Sequence, residues 1–123
     1  MSQRLRAHQR VKRNADFRAA REQGRRIDCG AFMLTWRIRP DSTARARVGV
    51  VASRAAVGGA VERNRAKRLL REIFRRHQTL VPAGLDLVLT ARAALLRLPL
   101  PEVEQRFTHA CRQLPSTDSP SNG

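Results

Sequence analysis

The chain has 123 residues and a formal net charge of +15 at pH 7, with 25 lysine and arginine residues against 10 acidic ones. Its length fits one domain with a modest core, and such an excess of positive charge is typical of proteins that bind nucleic acid or another polyanion. The basic residues 1–13 hold no apolar secretion segment, and no run of the sequence is long enough to span a membrane. Two cysteines, Cys29 and Cys111, do not make a disulfide framework. We therefore expect a cytoplasmic protein with reduced thiols and no membrane partner.

The predicted elements, in chain order, are a short helix over 14–23, strands over 31–39 and 47–53, a helix over 62–76, a strand over 85–91 and a helix over 102–114. Asn14 or Asp16 would cap the first helix and Gly24 would end it. The near-continuous apolar character of 47–53 suggests burial on both faces. The buried face of the last helix would be Val103, Phe107, Ala110 and Leu114. Helices packed on a sheet define an α+β fold in one domain, residues 1–114, with a basic arm over 1–13 and a disordered tail over 115–123.

The helix over 62–76 carries seven basic residues on an amphipathic frame. At 100° per residue, one side holds an apolar stripe of Ala66, Leu69, Leu70, Ile73 and Phe74. The opposite side and its flanks hold Asn64, Arg65, Lys67, Arg68, Arg71 and Arg75. Glu72 is the single acidic residue among them, whereas a merely solvated face would alternate acidic and basic residues. Because guanidinium groups bind phosphate oxygens in pairs, the pattern favours a phosphate-binding surface.

No pattern in the sequence matches a protein catalytic centre or a metal site. His8, His77 and His109 stand far apart, and there is no C-x-x-C or H-x-x-x-H spacing. The acidic residues are scattered, so a carboxylate cluster for two-metal nuclease chemistry is not expected. Gly58-Gly59 could bring backbone N–H groups to a phosphate, or it could be a plain turn. We therefore expect no catalytic residue and no metal or cofactor bound by the protein itself.

Five aromatic residues are available for stacking on single-stranded RNA bases. Phe74 and Phe107 fit the apolar helix faces and are expected in the core. Phe17, on the first helix, and Trp36, on a strand, are the better candidates for stacking.

The segment Arg47–Arg75 resembles the protein subunit of bacterial ribonuclease P. A strand of the R-x-G-x-x-V-x-S type is followed by a loop, an R-N-R-x-K-R-x-x-R-E helix and a D-x-V-x-x-A-R strand over Asp86–Arg92, in that order. The earlier N-x-D-F…G element, formed by Asn14, Asp16, Phe17 and Gly24, is similar to the first helix of that family. The resemblance covers residues 10–112.

The resemblance implies a four-stranded sheet with helices and a left-handed β-α-β crossover, an exception to the general right-handed preference. Three strands are predicted above, so we expect the fourth within 31–53.

The resemblance also implies that a catalytic RNA performs hydrolysis with Mg²⁺ held by the RNA. The protein would bind that RNA, one protein per RNA, and would contact the 5′ leader of precursor tRNA. By position, the RNA-binding residues would be Arg63, Asn64, Arg65, Lys67, Arg68 and Arg71. Phe17 matches an aromatic of the leader cleft, Arg21 replaces a second aromatic, and Arg54-Ala55 replaces a common Lys-Lys pair. The expected leader site therefore consists of Phe17, Arg21, Trp36 and Arg54. In this site charge would contribute more to binding than stacking does.

Three other functions remain open from the sequence. A ribosomal or other structured-RNA-binding protein would bind RNA without changing the cleavage rate of a ribonuclease P RNA. A DNA-binding or nucleoid protein would prefer duplex DNA and would normally need a dimer interface. A self-sufficient protein nuclease would need a carboxylate or histidine cluster that the sequence does not suggest.

Overall fold

A computed structural model describes residues 22, 24–39 and 45–115 of the chain. Its strands and helices are β1 (Arg25–Asp28), β2 (Phe32–Ile38), β3 (Arg47–Val51), α1 (Arg54–Val57), α2 (Ala60–His77), β4 (Leu85–Ala91) and α3 (Leu100–Cys111). Short 3-10 segments, Gln78–Leu80 and Ala93–Leu96, follow α2 and β4. The fold is a small α+β domain with a four-stranded mixed sheet and, in the described residues, three α-helices, so the predicted fold class is confirmed.

The four strands lie in the order β1-β2-β4-β3. β2 pairs antiparallel with both β1 and β4, whereas β3 and β4 are parallel neighbours. Parallel neighbours cannot be joined by a tight turn, and α2 supplies the crossover between them. The basic helix is therefore the connection of a β-α-β unit, as the resemblance implied. The left-handed sense of that crossover stays a prediction.

The fourth strand is β1, which precedes residue 31, so our expectation of a strand within 31–53 was wrong. β1 pairs with β2, with Arg25 opposite Trp36. Three of its four residues are charged and exposed, so this edge strand lacks the alternating apolar pattern by which a half-buried strand is normally found. A tight turn follows, in which Gly30 adopts a φ of 78° and its N–H donates to Asp28 Oδ1 at 2.9 Å.

The other predicted elements are present with shifted ends. β4 has the predicted bounds, β2 is one residue shorter at each end, and β3 ends two residues earlier than predicted. α3 begins at Leu100 because Pro101 is tolerated in a first turn, where its missing N–H needs no partner. The predicted first helix lies outside the described residues apart from Glu22, and the N-terminal arm and residues 116–123 of the predicted tail also lie outside them.

The core lies between one face of the sheet and the helices α2 and α3. The two helices contribute the fully or almost fully buried side chains Ala66, Leu70, Ile73, Phe74, Val103, Phe107 and Ala110, and Leu114, three residues after the end of α3, is buried beside them. Both predicted apolar stripes are therefore confirmed, with Leu69 partly rather than fully buried. The rings of Phe32 and Phe107 lie 6.3 Å apart and join the sheet to α3. Since each fully buried large side chain contributes about 1.5–3 kcal/mol, these stripes hold α2 firmly in place.

Candidate nucleic-acid interface

Helix α2 is an 18-residue helix whose two ends are set by the local sequence. Gly58 adopts a φ of 110° and ends α1, and its N–H donates to the carbonyl of Arg54 at 2.9 Å. Gly59 then forms the N-cap of α2 without a side-chain cap bond. Glu62 lies in the first turn and Arg75, Arg76 and His77 lie in the last turn, an arrangement that complements the helix dipole. The Gly58-Gly59 pair is thus the turn that starts the basic helix.

The N-terminal half of α2 carries basic side chains that form no ion pair with a carboxylate of the described residues. Arg65, Arg68 and Asn64 are exposed, and Arg63 and Lys67 are half-buried. Within the described part of the chain, no carboxylate lies at ion-pair distance from Arg63, Arg65, Lys67 or Arg68. We call these four side chains the open cations. An anionic ligand such as a phosphate is the natural partner for such a cluster.

The C-terminal end of α2 is different, because its arginines are held by carboxylates. Glu72 accepts a hydrogen bond from Arg75 Nε at 3.0 Å and another from Arg75 Nη2, and its Oε2 lies 3.3 Å from Arg76 Nε. Glu104 on α3 accepts from Arg76 Nη1 at 3.2 Å and lies at the same distance from His77 Nε2. The hydrogen bonds from Arg75 lower the pKa of Glu72, which therefore stays ionised at neutral pH.

Two of the predicted leader-binding residues, Arg54 and Trp36, lie in different parts of the fold. Arg54 is exposed at the start of α1, which Ser53 caps and which packs against α2. Trp36 lies on β2 opposite Leu87, and Leu87 is opposite Val48, six residues before Arg54. Trp36 is therefore toward the other end of the sheet, and the structure does not bring it together with Arg54.

Trp36 is half-buried and packs against the core, and it also lines an open groove of about 470 Å³ with Arg25, Ile38 and Pro115. The remaining predicted leader-binding residues, Phe17 and Arg21, lie outside the described residues. The roles of all four leader-site residues stay predictions.

A cluster that the sequence analysis missed surrounds Asp86, whose side chain is fully buried on β4. Arg47 binds this carboxylate with two hydrogen bonds of 2.8 Å, from Nε to Oδ1 and from Nη2 to Oδ2. Arg37 Nη2 lies 3.3 Å from Oδ2, and Arg39 Nε lies 3.4 Å from Oδ1. The signal in the sequence is a single acidic residue in the apolar strand LDLVLTA, because a buried carboxylate needs cationic partners.

The Asp86 cluster lies on the face of the sheet opposite to the one that α2 and α3 cover. Side chains alternate between faces along a strand, so Asp86 and Val88 face away from Leu87 and Leu89, which belong to the core cluster. Val88 is fully buried and yet stands outside that cluster. The open cations and the Asp86 cluster are therefore separate charged regions, one on a helix and one on the far side of the sheet.

The described residues contain no cluster of metal ligands, and their two thiols are buried. Across residues 22, 24–39 and 45–115, no three His, Cys, Asp or Glu side chains come together as a metal site requires. None of the helices in this part of the chain is long and apolar enough to cross a membrane. Cys29 and Cys111 are free and buried, and burial raises their pKa values to about 11 and about 12. Both thiols are therefore protonated at neutral pH.

Fold and surface together define a small basic α+β domain whose crossover helix presents uncompensated cations. The family described as Ribonuclease P matches residues 5–115. The chain is 35% identical over 104 residues to the ribonuclease P protein component of Brevibacillus brevis, covering 85% of this chain and 81% of that protein. It is 34% identical over 119 residues to the component of Chloroflexus aurantiacus, covering 96% and 86% of the two chains.

Solved structures give the same result. The ribonuclease P protein of Thermotoga maritima superposes with a TM-score of 0.74 at 26% identity, covering 87% of this chain and 98% of that one. The Staphylococcus aureus protein superposes with a TM-score of 0.72 at 25% identity, covering 85% and 94%. The chain belongs to the family of ribonuclease P protein components. Ribonuclease P is an endoribonuclease ribonucleoprotein of tRNA processing, so membership implies partnership with the ribonuclease P RNA.

Proposed function

We propose that this chain binds the catalytic RNA of ribonuclease P through α2 and contacts the 5′ leader of precursor tRNA. In this proposal the RNA performs the hydrolysis with magnesium ions that it holds itself, and the chain supplies no catalytic group. One chain would serve one RNA. Its contribution would be to neutralise phosphates, which lets RNA segments approach one another at a lower magnesium concentration.

The observation that carries the proposal is the set of open cations on a helix whose opposite face is packed into the core. The opposite face of α2 is buried through Leu70, Ile73 and Phe74, which are fully inaccessible to solvent. The backbone that carries Arg65 and Arg68 is therefore ordered before RNA binds. Binding then does not include the conformational-entropy cost of ordering this backbone. The proposed RNA contacts are Arg63, Asn64, Arg65, Lys67, Arg68 and Arg71.

The support for the leader contact comes from position and charge. Arg54 is exposed, and α1 packs against α2, so Arg54 lies beside the proposed RNA-binding helix. Trp36 would contribute through the groove that it lines, at some distance from Arg54. Phe17 and Arg21 complete the proposed leader site.

The experiment is cleavage of a precursor tRNA by a bacterial ribonuclease P RNA at low magnesium, with and without this chain. We expect the chain to restore cleavage at the mature 5′ end and to have no activity alone. Tight RNA binding without rescue would contradict the proposal and would favour the alternative, a structured-RNA-binding protein outside ribonuclease P.

A matched pair of variants tests the role of α2 in the same assay. Arg68→Ala removes an open cation, and Arg112→Ala removes the same charge from an exposed position after α3. We expect Arg68→Ala to weaken RNA binding and to reduce the slope of log K against log salt by ~0.7–0.9, the value of one phosphate contact. Arg112→Ala should leave the slope near that of the parent. Equal effects of the two variants would show that only net charge matters, and would contradict a defined site on α2.

A further inference from the structure

Six of the seven lysine and arginine residues of α2 fall into two groups that the sequence does not distinguish. The open cations, Arg63, Arg65, Lys67 and Arg68, have no carboxylate partner in the described residues. Arg75 and Arg76, which lie about two turns beyond Arg68, are bound by Glu72 and Glu104. The two arginines and two carboxylates carry no net charge together, so the last turn of α2 adds little to its positive surface.

Glu72 separates the paired arginines of α2 from the open cations. Arg68, Arg75 and Arg76 are all three or four residues away from it, which is the spacing at which side chains of a helix meet. Its carboxylate nevertheless pairs with Arg75 and Arg76 on the C-terminal side, and Arg68 remains exposed and unpaired in the described structure.

The pairing of Arg75 occupies the edge of the guanidinium that would otherwise bind phosphate. Its Nε and Nη2 atoms donate to the two carboxylate oxygens of Glu72, a two-point geometry that a phosphate would also use. A phosphate would therefore have to displace Glu72 before it could bind Arg75 in this way, and the displaced carboxylate would repel it.

We propose that Glu72 is a specificity-determining residue that keeps phosphate contacts away from the last turn of α2 by holding Arg75 and Arg76. The inference rests on the proposed function, since it assumes that α2 binds RNA. Phosphate contacts carry no sequence information, so each arginine kept from the RNA removes a contact that any RNA could use. The contacts that remain lie further toward the N-terminus of α2, among them those of the open cations, whose positions on the helix suit one arrangement of phosphates.

The test is Glu72→Gln, which removes the charge and keeps the side-chain size. Binding would be measured across a salt series for the ribonuclease P RNA and for an unrelated structured RNA of equal length. Each arginine released should steepen the slope of log K against log salt by ~0.7–0.9, which corresponds to a roughly fivefold to eightfold affinity gain at 0.1 M salt. We expect the full gain with the unrelated RNA and a smaller one with the cognate RNA, so discrimination between them should fall.

Two controls separate this effect from a general change in charge. Glu102→Gln removes the same charge from α3, where the carboxylate pairs with Arg106, and should leave the slope unchanged. The double variant Glu72→Gln/Arg75→Ala should bring the slope most of the way back to the parental value, because Arg75 donates to Glu72 from both Nε and Nη2. A Glu72→Gln protein that melts like the parent and shows parental slope and discrimination would overturn the inference.

A single variant, Arg75→Ala, gives a second test that does not depend on Glu72→Gln folding. It should cost much less affinity for the cognate RNA than Arg68→Ala, and equal losses would overturn the inference. If the parental chain fails to bind or activate ribonuclease P RNA, then the proposed function has failed, whatever Glu72→Gln does with the unrelated RNA.

Discussion

Arg47 and Asp86 face each other on parallel neighbouring strands, joined by two hydrogen bonds of 2.8 Å to a carboxylate that has no solvent exposure. The register places Arg37 of β2 opposite the same aspartate from the other side. Taking a carboxylate out of water is costly, and the attraction to several guanidinium groups offsets that cost only while the set is complete. The pair therefore locks β2, β3 and β4 in register on the sheet face that α2 and α3 leave uncovered.

We expect Asp86→Asn to lower the free energy of unfolding by about 3–5 kcal/mol, because it removes the buried negative charge that Arg37, Arg39 and Arg47 surround. Urea denaturation of the parent and the variant gives the difference. Glu104→Gln is the control, since its ion pairs with Arg76 and His77 lie at the surface and should contribute less than about 1 kcal/mol. A similar small loss for both variants would show that Asp86 does not organise the cluster.

Leu70→Ala should destabilise the fold by about 2–5 kcal/mol, because the side chain is fully buried between α2 and the sheet. Leu69→Ala, one residue earlier and only partly buried, should cost clearly less. Thermal or urea unfolding measures both. RNA affinity at a temperature where both variants are folded should stay near the parental value, and a large loss there would argue that the apolar stripe also contacts RNA.

Cys29 and Cys111 should react slowly with iodoacetamide at pH 8 in the folded protein and rapidly in urea. Their pKa values of about 11 and about 12 leave very little thiolate at that pH, and the side chains are buried as well. Mass spectrometry of the alkylated chain over time gives the two rates. Fast labelling of either cysteine without denaturant would show that its surroundings open readily.

The same thiols should make the fold less stable at alkaline pH. Burial raises both pKa values above the ordinary 9.0, so the folded state keeps protons that the unfolded chain releases. Their contribution is fully present below pH 9 and is lost as the pH rises toward 11 and beyond. Urea midpoints at pH 8 and pH 10.5 should therefore differ more for the parent than for a Cys29→Ala/Cys111→Ala variant, and equal differences would contradict this cause.

Gly58→Ala should cost about 1–3 kcal/mol, because a φ of 110° with a ψ of −147° is a conformation that essentially only glycine adopts. A Cβ at this position would meet nothing closer than 3.7 Å, so the cost would come from the backbone and not from a clash. Gly59→Ala is the matched control, with an ordinary φ of −75° and a nearest contact of 3.4 Å to Glu62 Oε1. Urea unfolding should show the larger loss for Gly58→Ala, and equal losses would mean that the turn relaxes.

The helices and strands whose apolar residues recur at regular spacing could be predicted from the sequence, whereas the edge strand β1 could not. The buried stripe of α2 repeats at helical spacing, so Ala66, Leu70, Ile73 and Phe74 could be placed in the core with no knowledge of the sheet. β1 has charged residues at three of four positions and is a strand only because β2 offers it a partner. That pairing is a tertiary effect, and no pattern within residues 25–28 reports it.

In the candidate site, too, the sequence predicts the charged residues but not their ion-pair partners. The basic residues of α2 are evident in the sequence, but their partners are not, because Glu72 has arginines at suitable spacing on both sides. Arg76 also pairs with Glu104, 28 residues away, and Arg47 pairs with Asp86, 39 residues away. Composition thus indicates that the helix is cationic, while only the folded arrangement determines which cations remain open.

Because α2 forms the wall of the core with one face and carries the open cations on the other, ligand binding and folding are thermodynamically linked in this domain. An RNA present at a hundred times its dissociation constant would add about 2.7 kcal/mol to the stability of the whole fold. It would also relieve the self-repulsion of a chain with a net charge of +15. The amount of available RNA would then set the fraction of this protein that is folded, and chains made in excess of it would be the first to unfold and be degraded.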